Sequence, residues 1–194
     1  MKKTLFILIA VISFFTACTT CSTKNVASVA KIDVENTVSI DRESMFAEYG
    51  EDYRWFETSI VLKDFLDSDS CDGTVAEVTN VMQAVECMES GADVHVVIFT
   101  HTSDALSKEV IHSFWVEDSP LNDEAIKLTY EEAFEKVMAT NSPKPHSKHC
   151  VLRKEVGMLD CNPQYIFGNT EAQLYVDAVT GEVRNYNPAF EKDK

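Results

Sequence analysis

Residues 74–85, TVAEVTNVMQAV, decide how this chain is read as a fold. Thr74 and Glu77 have the spacing of a Thr-x-x-Glu capping box, in which each side chain bonds the other's backbone N–H. Val75, Val78, Val81, Met82 and Val85 then recur at helical spacing, and Ser90-Gly91 supplies a stop. The spacing predicts a helix opening at Thr74. The same device returns at Thr129 and Glu132. There Tyr130, Ala133, Phe134, Val137 and Met138 fall on one helical face, and Asn141-Ser142-Pro143 ends it.

Strand signals surround these two segments. Residues 56–65 (FETSIVLKDF) precede a turn-rich DSDSCDG. Residues 94–100 (VHVVIFT) are β-branched, with 109–117 (EVIHSFWVE) as the expected antiparallel neighbour. Further strands are expected at 149–156, 165–167, 173–177 and 182–186, the last two joined by a tight turn with Gly181 available for positive φ. SIVLKD at 59–64 overlays SFWVED at 113–118. The two capping boxes and the strands beginning at His95 and His149 overlay at nearly the same offset. The expectation is an α+β fold of two helix-on-antiparallel-sheet units in tandem, residues 46–122 and 123–194.

Within residues 128–186, LTYEEAFEKVM, CVLRKEVG, YIFGN and LYVDAVTGEV follow in order. This resembles a PepSY-type domain, a capped helix followed by a meander closing on Tyr-x-Val-Asp-Ala-x-Thr-Gly-Glu-Val. Together with an exported N-terminus, the chain resembles the PepSY-like small lipoproteins of Bacteroidetes, whose tandem units resemble β-lactamase-inhibitor-protein folds. The resemblance implies a binding or inhibitory module that acts on a protein or peptide, a peptidase above all. It carries no catalytic residues. The 46–122 half lacks the Val-Asp-Ala-x-Thr-Gly-Glu ending, and Cys150 and Cys161 match no family position.

The N-terminus reads as an address. Lys2 and Lys3 precede the apolar run 5–15, and Thr16-Ala17 places small residues before Cys18. This is a signal peptide over residues 1–17, too short to span a bilayer, which takes about twenty apolar residues. Phe15-Thr16-Ala17-Cys18 resembles the lipobox of bacterial lipoproteins, with Phe where Leu is usual. That makes Cys18 the lipidated residue, and two or three acyl chains hold firmly. Residues 18–45, rich in Ser, Thr, Val, Lys and Asn, read as a flexible tether. No acidic run follows Cys18, which favours the periplasmic side of the outer membrane over the cell surface.

The mature chain is one ordinary domain or two very small ones, and 45% hydrophobic residues can build a core. The precursor's net charge is −15. Such a chain repels phosphate backbones and makes nucleic acid a poor partner. With Cys18 carrying lipid, Cys21, Cys71, Cys87, Cys150 and Cys161 remain, an odd number. Cys71, Cys87, Cys150 and Cys161 are disulfide candidates in an oxidising compartment, their pairing open. A helix from Thr74 would put Cys87 about 20 Å beyond Cys71, outside disulfide reach.

The remaining constellations each have an ordinary structural role open to them. His146, His149, Cys150 and Cys161 offer zinc- or copper-type ligands, the alternative being a small-ligand or metal-binding lipoprotein. His149 and Cys150, however, are adjacent on a predicted strand and point to opposite faces. His95 and His101 share one strand face, with His112 on the neighbour. Asp67, Asp69 and Asp72 resemble part of a calcium loop, but Val78 stands where the twelfth-position Glu belongs. Tyr49, Tyr53, Trp55 and Phe56 cluster before the first strand, and Phe114 or Trp115 would face outward for protein binding. No nucleophile elbow, zinc-protease motif, phosphate loop or dinucleotide fingerprint occurs. The expectation is a non-enzymatic protein that uses no cofactor.

Overall fold

A computed structural model describes residues 31–85, 95–115, 119–155 and 161–186. The expected signal peptide, Cys18, Cys21 and Cys87 lie outside the described residues. The chain runs through helix α1 (Val34–Tyr49) and strands β1 (Tyr53–Leu62), β2 (Val75–Ala84), β3 (His95–Thr102) and β4 (Leu106–His112). Helix α2 (Tyr130–Ala139) follows, then β5 (His149–Arg153), β6 (Gln164–Gly168), β7 (Gln173–Asp177) and β8 (Val183–Tyr186). All the strands join one antiparallel sheet of eight, in the order β4-β3-β2-β1-β5-β6-β7-β8. The expected pair of tandem helix-on-sheet units is therefore corrected: the protein is mainly β, with a single continuous sheet.

The segment that suggested the first helix is strand β2, in the middle of the sheet between β1 and β3. Two features make a strand imitate helical spacing there. First, the register slips where Val61 faces Glu77 but Leu62 faces Val75, so a bulge brings Val75 onto the face of Val78. Second, β2 is covered on both sides near its end. Val78 and Met82 are fully buried on one face, and Val81 and Gln83 are nearly so on the other. Two-sided burial erases the apolar–polar alternation expected of a half-buried strand. Thr74 caps no helix: its N–H donates to Asp72 Oδ1 at 2.9 Å. The internal overlay of the two halves fails with it, because Thr74 opens a strand and Thr129 opens a helix. The separation expected of Cys71 and Cys87 does not shrink, because the ten residues of β2 lie between them and a strand rises about 3.3 Å per residue, more than a helix.

Residues 34–45, expected in the tether, belong to α1. Asp33 caps it by accepting the Asn36 N–H at 2.9 Å, and Gly50, at φ 66, ends it with its N–H on the Phe46 carbonyl. Its buried positions are Val34, Thr37, Val38, Asp41 and Met45. Two of those five are polar, so the inward stripe does not stand out by hydropathy. Helix α2 is capped as expected, with both halves of the Thr129–Glu132 box formed. Tyr130, Ala133, Phe134 and Val137 face the core.

Both helices lie on one face of the sheet. The cross-strand row Val78, Ile60, Cys150, Phe167 and Leu174 shares that face. Phe134 and Tyr130 of α2 meet Phe167 at ring-centroid distances of 6.4 and 6.3 Å. The next row on the same face runs Phe99, Asn80, Thr58, Leu152, Tyr165 and Val176, and α1 covers its first members. The helix N-termini are tied together, with Glu35 of α1 accepting the Tyr130 N–H at 2.7 Å and Lys31 pairing with Glu131. Gly73 adopts φ +78 against the face of Phe134 and gives its carbonyl to the Tyr130 hydroxyl at 3.1 Å.

Candidate functional site

Beneath α1 the sheet carries a chain of buried polar groups. Trp55 Nε1 donates to Thr58 Oγ1 at 3.1 Å, and Thr58 donates to Asn80 Oδ1 at 2.6 Å. Asn80 Nδ2 donates to Thr37 Oγ1 at 3.2 Å and to Asp41 Oδ2 at 2.7 Å. His101 Nε2 lies 2.9 Å from both Asp41 oxygens. Asp41, Thr58 and Asn80 have no exposed surface. Burial pushes the Asp41 carboxyl above its ordinary pKa, against the pull of Asn80 and His101. The arrangement fixes α1 in register over β1, β2 and β3, with every member hydrogen-bonded.

The opposite face carries no helix among the described residues. Ser107, Thr100, Thr79, Ser59, Val151, Ile166, Tyr175 and Arg184 stand opposite one another in turn, one from each strand. Thr79, Thr100, Ser59 and Val151 are half-buried. Thr79 and Thr100 hydroxyls meet at 3.3 Å, and the Arg184 guanidinium stands over the Tyr175 ring at 5.8 Å. On one flank Arg153 reaches Glu57 at 3.7 Å. Toward β3 this face is closed, with Val96, Val81 and Gln83 buried and the Trp115 N–H 3.4 Å from Gln83 Oε1. A cleft of about 260 Å³ opens on the helix side between α1 and residues 123–129, floored by Trp55, Leu152 and Tyr165 and crossed by an Arg42–Asp123 ion pair.

The residues singled out from sequence disperse. His146 is exposed, stacked on Phe65 at 4.2 Å and bonded to Asp67 at 3.0 Å. His149 is exposed, whereas Cys150 is fully buried on the helix face with its thiol pKa pushed up by burial. Cys161 precedes β6. These four do not converge, and among the described residues no cluster of three or more His, Cys, Asp or Glu could hold a metal. Cys71 and Cys150 carry free thiols. His95 faces His112 at 4.8 Å between ring centroids, but His101 lies at the other end of the strand in the Asp41 network. The acidic turn is taken up locally, Asp67 by His146 and Asp72 by Thr74. Phe114 is exposed. Trp55 and Phe56 are buried and belong to the core. The sequence reading missed Asp41, Thr58 and Asn80; a lone Asn inside an apolar β2 was the available signal.

No family model and no curated protein matches the sequence, and the PepSY-type resemblance of residues 128–186 finds no match among family models. A solved structure described as a "putative lipoprotein" from Clostridium difficile 630 is 14% identical, with a TM-score of 0.44 over 80% of this chain and 94% of that one. No helix among the described residues is long and apolar enough to cross a membrane.

Proposed function

We propose that this protein is a lipid-anchored envelope protein that binds another protein or a peptide through the open face of its sheet and has no catalytic role. The observation that supports this is the one-sided placement of α1 and α2. Among the described residues it leaves the row from Ser107 to Arg184 crossing the sheet without a helix over it. Four small hydroxyl side chains make up one half of the row, and two aliphatics, a tyrosine and an arginine the other. Such a surface offers hydrogen bonds beside apolar contact, and Tyr and Arg are residues that concentrate binding energy. The signal-like residues 1–17 and the lipobox at Cys18 support an anchor in the outer membrane, facing the periplasm. The PepSY-type resemblance makes a peptidase the class of partner to seek, with inhibition or regulation as the effect.

The test is crosslinking of the full chain in its own envelope, followed by mass spectrometry, beside Ser59→Arg and Val151→Arg variants. One partner captured in stoichiometric amount by the parent and lost from both variants, with unchanged thermal unfolding, supports the reading. Equal capture by parent, variants and an unrelated lipoprotein overturns it. The anchor has its own test: labelled palmitate should enter the parent and not Cys18→Ala.

A further inference from the structure

Strand β4 ends the sheet, and its outer edge is a surface separate from the open face. The β3–β4 hairpin fixes which backbone groups look outward. The Thr102 N–H donates to the Ala105 carbonyl at 2.8 Å, so these two residues form a hydrogen-bonded pair. Bonded and non-bonded pairs alternate along an antiparallel ladder. With Thr100 opposite Ser107, Ile98 opposite Glu109 and Val96 opposite Ile111, it is Ser107, Glu109 and Ile111 that bond β3. Leu106, Lys108, Val110 and His112 therefore turn their N–H and C=O groups away from the sheet.

Those same residues are on the helix-bearing face, since Leu106 is opposite His101, Lys108 opposite Phe99 and Val110 opposite Val97. Leu106 is 54% exposed and Val110 42%; Phe114, a further four residues along, is 62% exposed. Edge strands are commonly guarded by charge, lysine especially. Here Lys108 is drawn back onto its own subunit, paired with Glu48 of α1 and lying 5.7 Å above the Phe99 ring. Among the described residues the edge thus presents backbone groups with no partner strand beside apolar side chains.

We infer that β4 pairs antiparallel with β4 of a second copy of this chain, about a two-fold axis at Val110. A two-fold axis normal to the sheet keeps each face on its own side, so it must pass through a residue position. An axis at Lys108 sets two lysines opposite each other, and one at Glu109 sets two glutamates opposite each other; both pairs are repulsive. An axis at Ile111 sets Val110 against His112 and Lys108 against the Phe114 position. The axis at Val110 sets Val110 against Val110, Lys108 against His112 and Glu109 against Ile111, and brings the Phe114 position opposite Leu106. On the helix-bearing face Val110 then meets Val110 and the Phe114 position meets Leu106, and no two residues of like formal charge stand opposite, which is the self-complementarity a two-fold interface requires.

Single cysteines at positions 108 to 111 read the register directly, with the full chain in mild detergent and the unsubstituted chain as baseline for its native thiols. In a bonded pair the two Cα atoms at the axis stand about 5.5 Å apart, within disulfide reach. The two copies of a residue two positions off the axis stand about 13 Å apart, beyond it. Val110→Cys should give a covalent dimer on oxidation or with a short bismaleimide, and Lys108→Cys should not. The parent should sediment as a dimer at micromolar concentration, and Val110→Lys as a monomer with an unchanged circular dichroism spectrum. A monomeric parent overturns the inference, and so does strongest crosslinking at position 108, 109 or 111. A monomer that instead captures a strand of another protein at β4 also overturns it.

Discussion

Asp177 closes the last hairpin, and its removal should cost stability in a way that pH reveals. Its Oδ1 accepts the Val179 and Thr180 N–H groups at 2.9 and 2.8 Å. Asn162 Nδ2 approaches Oδ2 at 3.0 Å and Gln164 Nε2 approaches it at 3.3 Å. Gly181, at φ +75, completes the turn with its N–H on the Asp177 carbonyl at 2.8 Å. Burial raises the carboxyl pKa, but the donors from Thr180, Asn162, Val179 and Gln164 outweigh it and hold the group at about 2. A folded pKa below the unfolded 3.8 means stability that is present above 3.8 and lost as pH falls through about 2. Each pKa unit corresponds to about 1.4 kcal/mol, so the full shift corresponds to about 2.5 kcal/mol; solvent screening of this partly exposed group reduces it to about 1–2 kcal/mol. Asp177→Asn keeps the size and removes the charge. Urea unfolding should place the variant about 1–2 kcal/mol below the parent at pH 7, with roughly half that gap near pH 3. An equal gap at pH 7 and pH 3, or none at pH 7, refutes the reasoning.

Asn80→Ala should cost about 2–4 kcal/mol in the same assay, because Thr58 and Asp41 each lose a buried partner. Burial raises the folded pKa of Asp41, so the stability tied to its neutral form is present below its unfolded pKa and lost as pH rises through the folded one. Asp41→Asn should flatten that stretch of the stability–pH profile. Gly73→Ala should destabilise by about 1–3 kcal/mol, since a residue with a side chain is strained at φ +78 and the added Cβ would lie 2.8 Å from Phe134; thermal unfolding reads this.

Helix α2 was legible because capping and periodicity agree there: Thr129 and Glu132 form the box and the stripe from Tyr130 to Val137 is the buried face. The strands after it were legible as well, each short, with a turn such as Asp177–Gly181 between β7 and β8. Strand β2 was not, because its bulge and its two-sided burial produce the spacing of an amphipathic helix. Helix α1 was not, because Thr37 and Asp41 stand where apolar residues would mark an inward face. The missed polar network follows from these two errors. Asp41 lies on the helix read as tether, and Asn80 on the strand read as helix, so nothing in the sequence alone brought either to His101. The divergence of His149 and Cys150 was visible in advance, because it depends only on strand alternation.

The pairing of Thr58 with Leu152 and of Val61 with His149 has a consequence for how the chain acquires its shape. Neighbouring strands elsewhere in the sheet follow one another in sequence and can zip locally, but β1 and β5 are separated by three strands and a helix. Closing such a distant pair is slow, because chain entropy is lost before the contact forms. During synthesis the first four strands emerge with the Thr58–Val61 edge of β1 unpaired until β5 arrives. That interval is when this protein is open to misassociation.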